Sequence, residues 1–500
     1  MLVQDGEVVT KPQQLAEVML EQYQRKEKEV EQALGEATGD YLAESRRMTK
    51  GNKGVFKFRK VTVAEVDKQI QDVDDKESVG HDKISYSFLK KMRKWIVKEI
   101  TEIVNLSLEV KRYPRLWKIA RVKPLHIGDG CNRQAPKSFR PVALLAAISR
   151  ITEALLARQL DKYQENNSLV HKGVHGFRRG RRTNTAMLET WEFVLAKTEK
   201  GELVAIDLLD ISAGFDTLVH IYLLRKMEVE IGMGEESLEW LASYLEGWLQ
   251  YVVVEASSSS TRKMNKGAPQ GGGQSPILWR SYMNVVPEAG LCRVKPRRMQ
   301  GQEQEAGNVA VDADQGVVSK LIDAKEALNT EDRLDQKMRI EGAWDLKKWR
   351  QERTGDQRVH CDRLFQKPMD EEDDVVSTLY ADDVQCRTSA KTKEELQRRN
   401  RRGLTEVCKE LKALRLKINE DKTTYMVLAT QERRTREDLA STIEVCGEQM
   451  KSSKTGKCLG LLLTDDLTWR DQVEKVVKSC QQKQTGLWKC TEEESEKDKS

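Results

Sequence analysis

Two groups of carboxylates, each set against an apolar run, constrain this chain more than any other feature. In Val204-Ala205-Ile206-Asp207-Leu208-Leu209-Asp210-Ile211-Ser212-Ala213-Gly214-Phe215-Asp216, acids interrupt and follow a run apolar enough for a buried strand. The second group is Tyr380-Ala381-Asp382-Asp383, between the β-like runs Val375–Tyr380 and Val384–Cys386, which places adjacent acids at a hairpin tip. Taken alone, those four letters are also ordinary turn chemistry. Together the two groups say more. Carboxylates suit a hard divalent cation, which keeps its remaining sites for water and phosphate. Acids from separate strands are what a pair of ions about 3.5–4 Å apart needs to clamp the attacking and leaving oxygens of phosphoryl transfer. Asp210 and Asp382 are remote in the chain, so only a tertiary fold can join them.

The remaining pattern mixes helices and strands. Gln13 to Met48 is a polar helical segment with breaks at Gly35 and Gly39. From Val61 to Val110, helical spacing puts Val66, Ile70 and Val73 on one face and Leu89, Met92 and Ile96 on another. Short β-like pieces at Arg121–His126 and Val142–Leu145 precede an amphipathic helix, Ile148–Tyr163. The apolar strand Leu203–Ile211 is followed by helices at Val219–Met227 and Leu238–Trp248, a hairpin tipped by Ser257–Ser260, and a helix at Pro276–Val286. Arg293 to Asp374 is densely charged and is expected to be an insertion outside the core. Pattern then resumes with a helix over Lys393–Leu414, strands near Thr424–Leu428, Ile443–Cys446 and Leu459–Leu463, and a last helix from Trp469. Strands alternating with helices argue α/β or α+β, not all-α.

Composition excludes whole classes. The 500 residues hold 85 Lys+Arg against 80 Asp+Glu, a net +5 that hints only weakly at a polyanionic partner. No run approaches the roughly 18–20 apolar residues of a membrane-spanning helix. The N-terminus lacks a basic-then-apolar leader, and nine cysteines form no C-x-x-C pair. Secretion and membrane insertion are therefore not expected; reduced thiols suit cytoplasm and nucleus. The densest basic cluster, Arg178-Arg179-Gly180-Arg181-Arg182, is either a phosphate-neutralising surface or a solvated face. His171 and His175 have the spacing of a helical zinc pair, but Gly173 lies between them and no Glu follows His171, so a metalloprotease is not supported.

Seven short boxes in order resemble the reverse transcriptases of non-LTR (LINE-type, jockey-like) retrotransposons, over roughly Lys60 to Lys489. They are Phe139-Arg140-Pro141-Val142-Ala143-Leu144-Leu145, His175-Gly176-Phe177-Arg178-Arg179-Gly180-Arg181, Leu209-Asp210-Ile211-Ser212 through Phe215-Asp216, Gly267-Ala268-Pro269-Gln270-Gly271 through Ser275-Pro276, Tyr380 to Asp383, Leu416 to Thr423, and Leu459-Gly460 with Leu467-Thr468-Trp469. The resemblance implies an α+β right-hand polymerase: an N-terminal helical segment at 1–59, fingers at 60–201, a palm with an antiparallel sheet at 202–468 carrying the insertion at 293–374, and the truncated start of a thumb at 469–500. By motif match, Asp210, Asp382 and Asp383 would bind two Mg²⁺ ions, with Mn²⁺ as a substitute, and Lys422 would protonate departing pyrophosphate. Arg140, Phe215, Gln270 and Gly271 would meet the deoxynucleoside triphosphate, and Arg178, Arg179, Arg181 and Arg182 the nucleic acid. The implied partners are an RNA template and a DNA primer; the protein partners are not implied, and no membrane is involved.

This sequence departs from the family pattern in places. Asp207 puts a second acid in an apolar strand, costly if buried unpaired. Gly214 is expected to loosen the segment beside Asp210. Gln274 stands where the loop pattern has Leu, and Ile127 where a basic residue often faces the triphosphate. Two functions from different classes therefore remain: an RNA-directed DNA polymerase, and a catalytically inactive nucleic-acid-binding relic of such an element. The bulk of Phe215 disfavours an RNA-templated RNA polymerase.

Overall fold

The computed structural model describes residues 1–4, 7–34, 55–74, 78–128, 131–289, 375–436, 438–445, 447–468, 470–478 and 480–481. The expected insertion at 293–374, the breaks at Gly35 and Gly39, and Trp469 lie outside these residues. Helix α1 spans Pro12–Leu34, α2 Val63–Asp72 and α3 Tyr86–Glu109. Thr62 and Glu65 form a reciprocal capping box at the start of α2, and the Ser85 hydroxyl accepts from Phe88 N at 3.1 Å to start α3. Strands β1 (Ile119–His126) and β2 (Phe139–Leu144) pair antiparallel and lead into α4, Ala147–Asn166.

Helix α5, Thr183–Glu199, has no counterpart among the sequence expectations. Its threonines and bulky apolar residues give no clean amphipathic stripe, because Thr190 and Thr198 are buried and hydrogen-bond back to carbonyls four residues earlier. Strand β3 then runs Leu203–Ser212, followed by α6 (His220–Val229) and α7 (Glu235–Leu245). The chain turns at Gly247, at φ 73, and Trp248 starts a strand where the expected helix was to end. That strand, β4 (Trp248–Val254), lies parallel to β1 and takes the short β5 (Arg262–Met264) along its other edge. Helix α8 covers Ser275–Met283.

Beyond the stretch outside the description, β6 (Val376–Tyr380) and β7 (Asp383–Ala390) form the expected hairpin. Helix α9 spans Lys393–Ala413, and β8 (Lys417–Ile418) and β9 (Thr424–Leu428) follow. Residues 442–451 and 455–464 form two further hairpins, and 470–478 are helical. Among the described residues no helix is long and apolar enough to cross a membrane.

The result is an α+β architecture on two sheets. In the first, β3 is central: β7 and then β6 lie antiparallel on one side, while β8 and β9 pair antiparallel on the other. The second sheet has the order β2-β1-β4, with β5 and the two-residue strand Ser257–Ser258 both paired to β4. It draws strands from both sides of position 201, since the parallel β1–β4 pairing forces residues 248–264 to return beside 119–126. Beside it, Tyr113 packs edge-on against Trp240 and Tyr244, with ring centroids 5.5 Å and 5.0 Å away. Such pairs hold better than area alone predicts, by about 0.5–1.5 kcal/mol each.

Strand β3 is covered on both faces, which is why Leu203 to Ile206 are almost fully buried and read as a continuous apolar run. Side chains alternate along it, so Asp207 and Asp210 leave opposite faces. Asp207 points to the face under α9, is 1% exposed, and accepts from Asn400 Nδ2 of that helix at 3.2 Å. Its other oxygen has no protein partner among the described residues. Burial pushes this carboxyl up to about 8, with the Asn400 bond offsetting only part of the shift. At neutral pH it keeps its proton, which is how an acid survives in an apolar strand.

The sign of the pH dependence follows. Unfolded, Asp207 ionises near 4; folded, near 8. The native state binds the extra proton in between, so this group's contribution falls as pH rises from about 4 to about 8, at most about 1.4 kcal/mol per pH unit, and is flat above. Asp207→Asn removes the titration and keeps an acceptor for Asn400. Its urea midpoint should exceed that of the native chain at pH 8, with the difference shrinking toward pH 5; a pH-independent difference refutes the assignment.

Candidate active site

The β3–β7 register sets Asp383 directly opposite Asp210. Opposed residues of an antiparallel ladder share a face with Cα atoms about 4.5–5.5 Å apart, so two acids remote in sequence become neighbours. Asp383 also pairs with Tyr380 across the hairpin, leaving Ala381 and Asp382 as a two-residue turn. Ala381 sits at φ 58, a left-handed conformation that costs a residue with a Cβ about 1–2 kcal/mol.

Three contacts hold that turn. The Trp279 Nε1–H of α8 donates to the Ala381 carbonyl at 2.9 Å. Gly176 packs so closely on the Ala381 amide that any Cβ would collide with it. The segment carrying Gly176 lies along β6: His175 N donates to Leu379 O at 2.8 Å, and Leu379 N donates to Gly173 O at 2.8 Å. The His175 ring is buried and bridges Thr185 Oγ1 (2.9 Å) and Glu189 Oε2 (2.8 Å), while Glu189 also meets Arg387 of β7 at 3.2 Å. His171 Nδ1 meanwhile accepts from Gly173 N at 3.0 Å, so each of the two histidines has its own local task.

Electrostatics tie the expected residues together. Burial, then the carboxylates of Asp382 and Asp210, push Asp383 up to about 6, while Arg140 and Lys422 pull it the other way. Five groups from four distant boxes therefore share one electrostatic neighbourhood. Lys422 Nζ stands 3.6 Å from Asp210 Oδ2. Its loop is fixed to β3, because Asn419 N donates to Asp210 O at 2.7 Å and Asp210 N donates to Thr423 Oγ1 at 3.4 Å.

Phe215 stacks on Trp279 with ring centroids 5.1 Å apart and meets Phe177 edge-on at 5.8 Å. Gln270 donates from Nε2 to both Asp216 oxygens, at 2.8 and 2.9 Å, and its carbonyl accepts from Ala143 N at 2.7 Å. Burial raises Asp216 to about 6, with the Gln270 bond acting in opposition. Gly271, at φ 126, lies against the Ala143 carbonyl, where a Cβ would come within 2.5 Å. Arg140 is exposed on β2.

The basic cluster divides. Arg178 grips Glu165 of α4 through two bonds of 2.9 and 3.0 Å and also donates to His171 O. That engagement fixes the loop before α5. Arg179 and Arg182 are exposed, and Arg181 is half-buried.

Two contributors were not legible in the sequence. Trp279 supports both the turn and Phe215, but nothing in its surroundings marks it apart from other apolar helix residues. Gly214 corrects the expectation of a loosened segment: it is buried directly under the Trp279 ring, where any side chain would overlap the indole. Its lack of Cβ tightens the packing beside Asp210.

Among the described residues no three His, Cys, Asp or Glu side chains converge as a ready-made cation cage. The donor chemistry nevertheless fits a hard divalent ion. Burial first, and then the neighbouring Asp382 and Asp210, disfavour the ionised Asp383, and a divalent ion held by these oxygens would relieve both.

Residues 129–292 match the sequence profile described as reverse transcriptase (RNA-dependent DNA polymerase). The chain is 28% identical over 253 residues to a probable RNA-directed DNA polymerase from transposon X-element of Drosophila melanogaster, covering 51% of this chain and 27% of that protein. It is 26% identical over 227 residues to the RNA-directed DNA polymerase from mobile element jockey of the same organism, covering 45% and 24%. It is also 26% identical over 196 residues to the Pol polyprotein from type-1 retrotransposable element R2 of Popillia japonica, covering 38% and 26%. The matches thus span about a quarter of the length of these relatives.

Gly214→Ala should displace the Trp279 ring and cost about 1–3 kcal/mol, the usual range for overpacking. Trp279→Phe, which keeps the stack but loses the bond to Ala381 O, should cost about 1 kcal/mol. Thermal unfolding reads both, and a Gly214→Ala protein as stable as the native chain refutes the close packing.

Proposed function

We propose that this chain, which carries a reverse transcriptase domain homologous to the RNA-directed DNA polymerases of non-LTR retrotransposons, extends a DNA 3′-hydroxyl on an RNA template using deoxynucleoside triphosphates. The observation that carries this reading is the opposition of Asp210 and Asp383 with Asp382 in the adjoining turn and Arg140 and Lys422 in electrostatic reach. In a right-hand description, the sheet built on β3 is the palm, residues from about 469 begin a thumb, and the fingers hold α2 to α5 together with β4 and β5.

Asp210, Asp382 and Asp383 would hold two Mg²⁺ ions, or Mn²⁺ in their place. Bound there, such ions would supply activation of the primer hydroxyl and neutralisation of charge on the transferring phosphate. The chain's own groups do the rest. Arg140 offers a planar, permanently charged fork suited to triphosphate oxygens. Lys422 Nζ lies 3.6 Å from Asp210 Oδ2 and would give a proton to the leaving pyrophosphate. Phe215 floors the sugar, and because Trp279 backs its ring, it cannot retreat from a 2′-hydroxyl. Gln270 and Gly271 present backbone to the template–nucleotide pair. Arg179, Arg181 and Arg182 neutralise strand phosphates, while Arg178 positions their loop.

Primer extension on an RNA template with Mg²⁺ tests this directly. Asp382→Ala and Asp383→Ala should each lower incorporation at least about 10²-fold, the scale of removing a group that stabilises transition-state charge. Phe215→Val should raise ribonucleotide relative to deoxynucleotide incorporation. Salt-dependent RNA binding without incorporation above the Asp variants would instead identify a catalytically silent binding protein.

A further inference from the structure

A buried carboxylate that this chemistry does not use lies beneath the glycine loop. Glu153 of α4 has no exposed surface. Its Oε1 accepts from the Tyr113 hydroxyl and from Ser149 Oγ, each at 2.8 Å. Its Oε2 accepts from the Tyr244 hydroxyl at 3.3 Å and from the backbone N–H of Gln274 at 3.4 Å, and the Gly273 amide favours the ionised carboxyl from close by. A carboxylate taken out of water among hydroxyls and amides is expensive, so its presence calls for a task.

The loop above it is shaped around it. A Cβ on Gly272 would lie 2.8 Å from Glu153 Oε2, and one on Gly273 would lie 3.1 Å from Glu153 Cβ. At its other end, Gln270 is held by Asp216 and by Ala143. The loop therefore has three anchors, one on β2, one beside Phe215 and one on Glu153.

We infer that Glu153 is a positioning residue that fixes the Gln270–Gln274 loop against the template–nucleotide pair, acting through the Gly273 and Gln274 amides. This rests on the polymerase reading for its kinetic consequence, but not for its structural one. Hydroxyl donors can rotate to new partners, whereas a backbone N–H cannot, so loss of the acceptor falls on the loop. Glutamine can still turn its oxygen to the amides and its NH₂ to Tyr113 and Ser149, and should rescue.

The test uses the full chain with Mg²⁺, primer–template and varied deoxynucleotide, alongside hydrogen exchange. Glu153→Leu should raise KM for the deoxynucleotide about tenfold with kcat within about twofold, and quicken exchange at Gly273 and Gln274 about tenfold, the scale of one orphaned buried amide. Amides of β3 should be unaffected, and Glu153→Gln should return both readouts to within about threefold of the native chain. Ile70→Ala, a core change remote from the loop, controls for general destabilisation. Unchanged KM and exchange in folded Glu153→Leu, or changes that merely follow Ile70→Ala, overturn the inference. If Glu153→Leu does not fold, Tyr113→Phe with Tyr244→Phe loosens the carboxylate without removing it, and should move KM and loop exchange in the same direction; no movement overturns it equally. If the native chain incorporates nothing, the polymerase reading fails, while exchange still decides whether Glu153 holds the loop.

Discussion

Everything at the site depends on the register of β7 against β3. Asp383 opposes Asp210 only because Val384 meets Leu209 and Gln385 meets Leu208 along the same ladder. A slip of one residue would turn the acids to opposite faces and set every β7 side chain against the packing of the wrong face. The apolar stretch Leu203 to Ile206, packed on both faces, makes that slip costly. Burial along the strand thus specifies where the carboxylates meet at its end.

The loops around the acids are held by close packing, not by long-range charge. Gly176 lies against Ala381, Gly214 under Trp279, Gly271 against Ala143, and Gly272 over Glu153. Each is a place where backbone must come nearer to a neighbour than a Cβ permits. Trp279 joins two of these contacts, since one indole supports Phe215 by stacking and the Ala381 carbonyl by its N–H. Strain at Ala381 and repulsion around Asp383 are sustained by that surrounding rigidity.

Local pattern revealed the elements with a strong period or a plain signal. The Val376–Tyr380 and Asp383–Ala390 hairpin, the helix Lys393–Ala413 and the strand Thr424–Leu428 fall where apolar runs and turn residues put them. Helix Thr183–Glu199 did not, because buried threonines satisfied by their own helix mimic a polar pattern. The hairpin around Ser257–Ser260 was legible, but not its pairing with Ile119–His126, since a parallel partner leaves no local turn signal. The basic cluster was legible as charge, while the engagement of Arg178 by Glu165 was not, because that pair spans two separate elements.

The sequence by itself determined the identity and order of the chemical groups: which acids, which lysine, which arginines, and a likeness carried by seven boxes. It could do so because those groups sit in short segments whose residue types are dictated by local chemistry. Only the tertiary structure decided which acid lies in which surroundings. Asp207 and Asp210 are three residues apart on one strand, yet one is sealed under α9 with its proton and the other faces Asp383 and Lys422. The alternation of a strand separates their directions, but what waits on each face is supplied by helices and strands remote in the chain, and that assembly decides the surroundings of each.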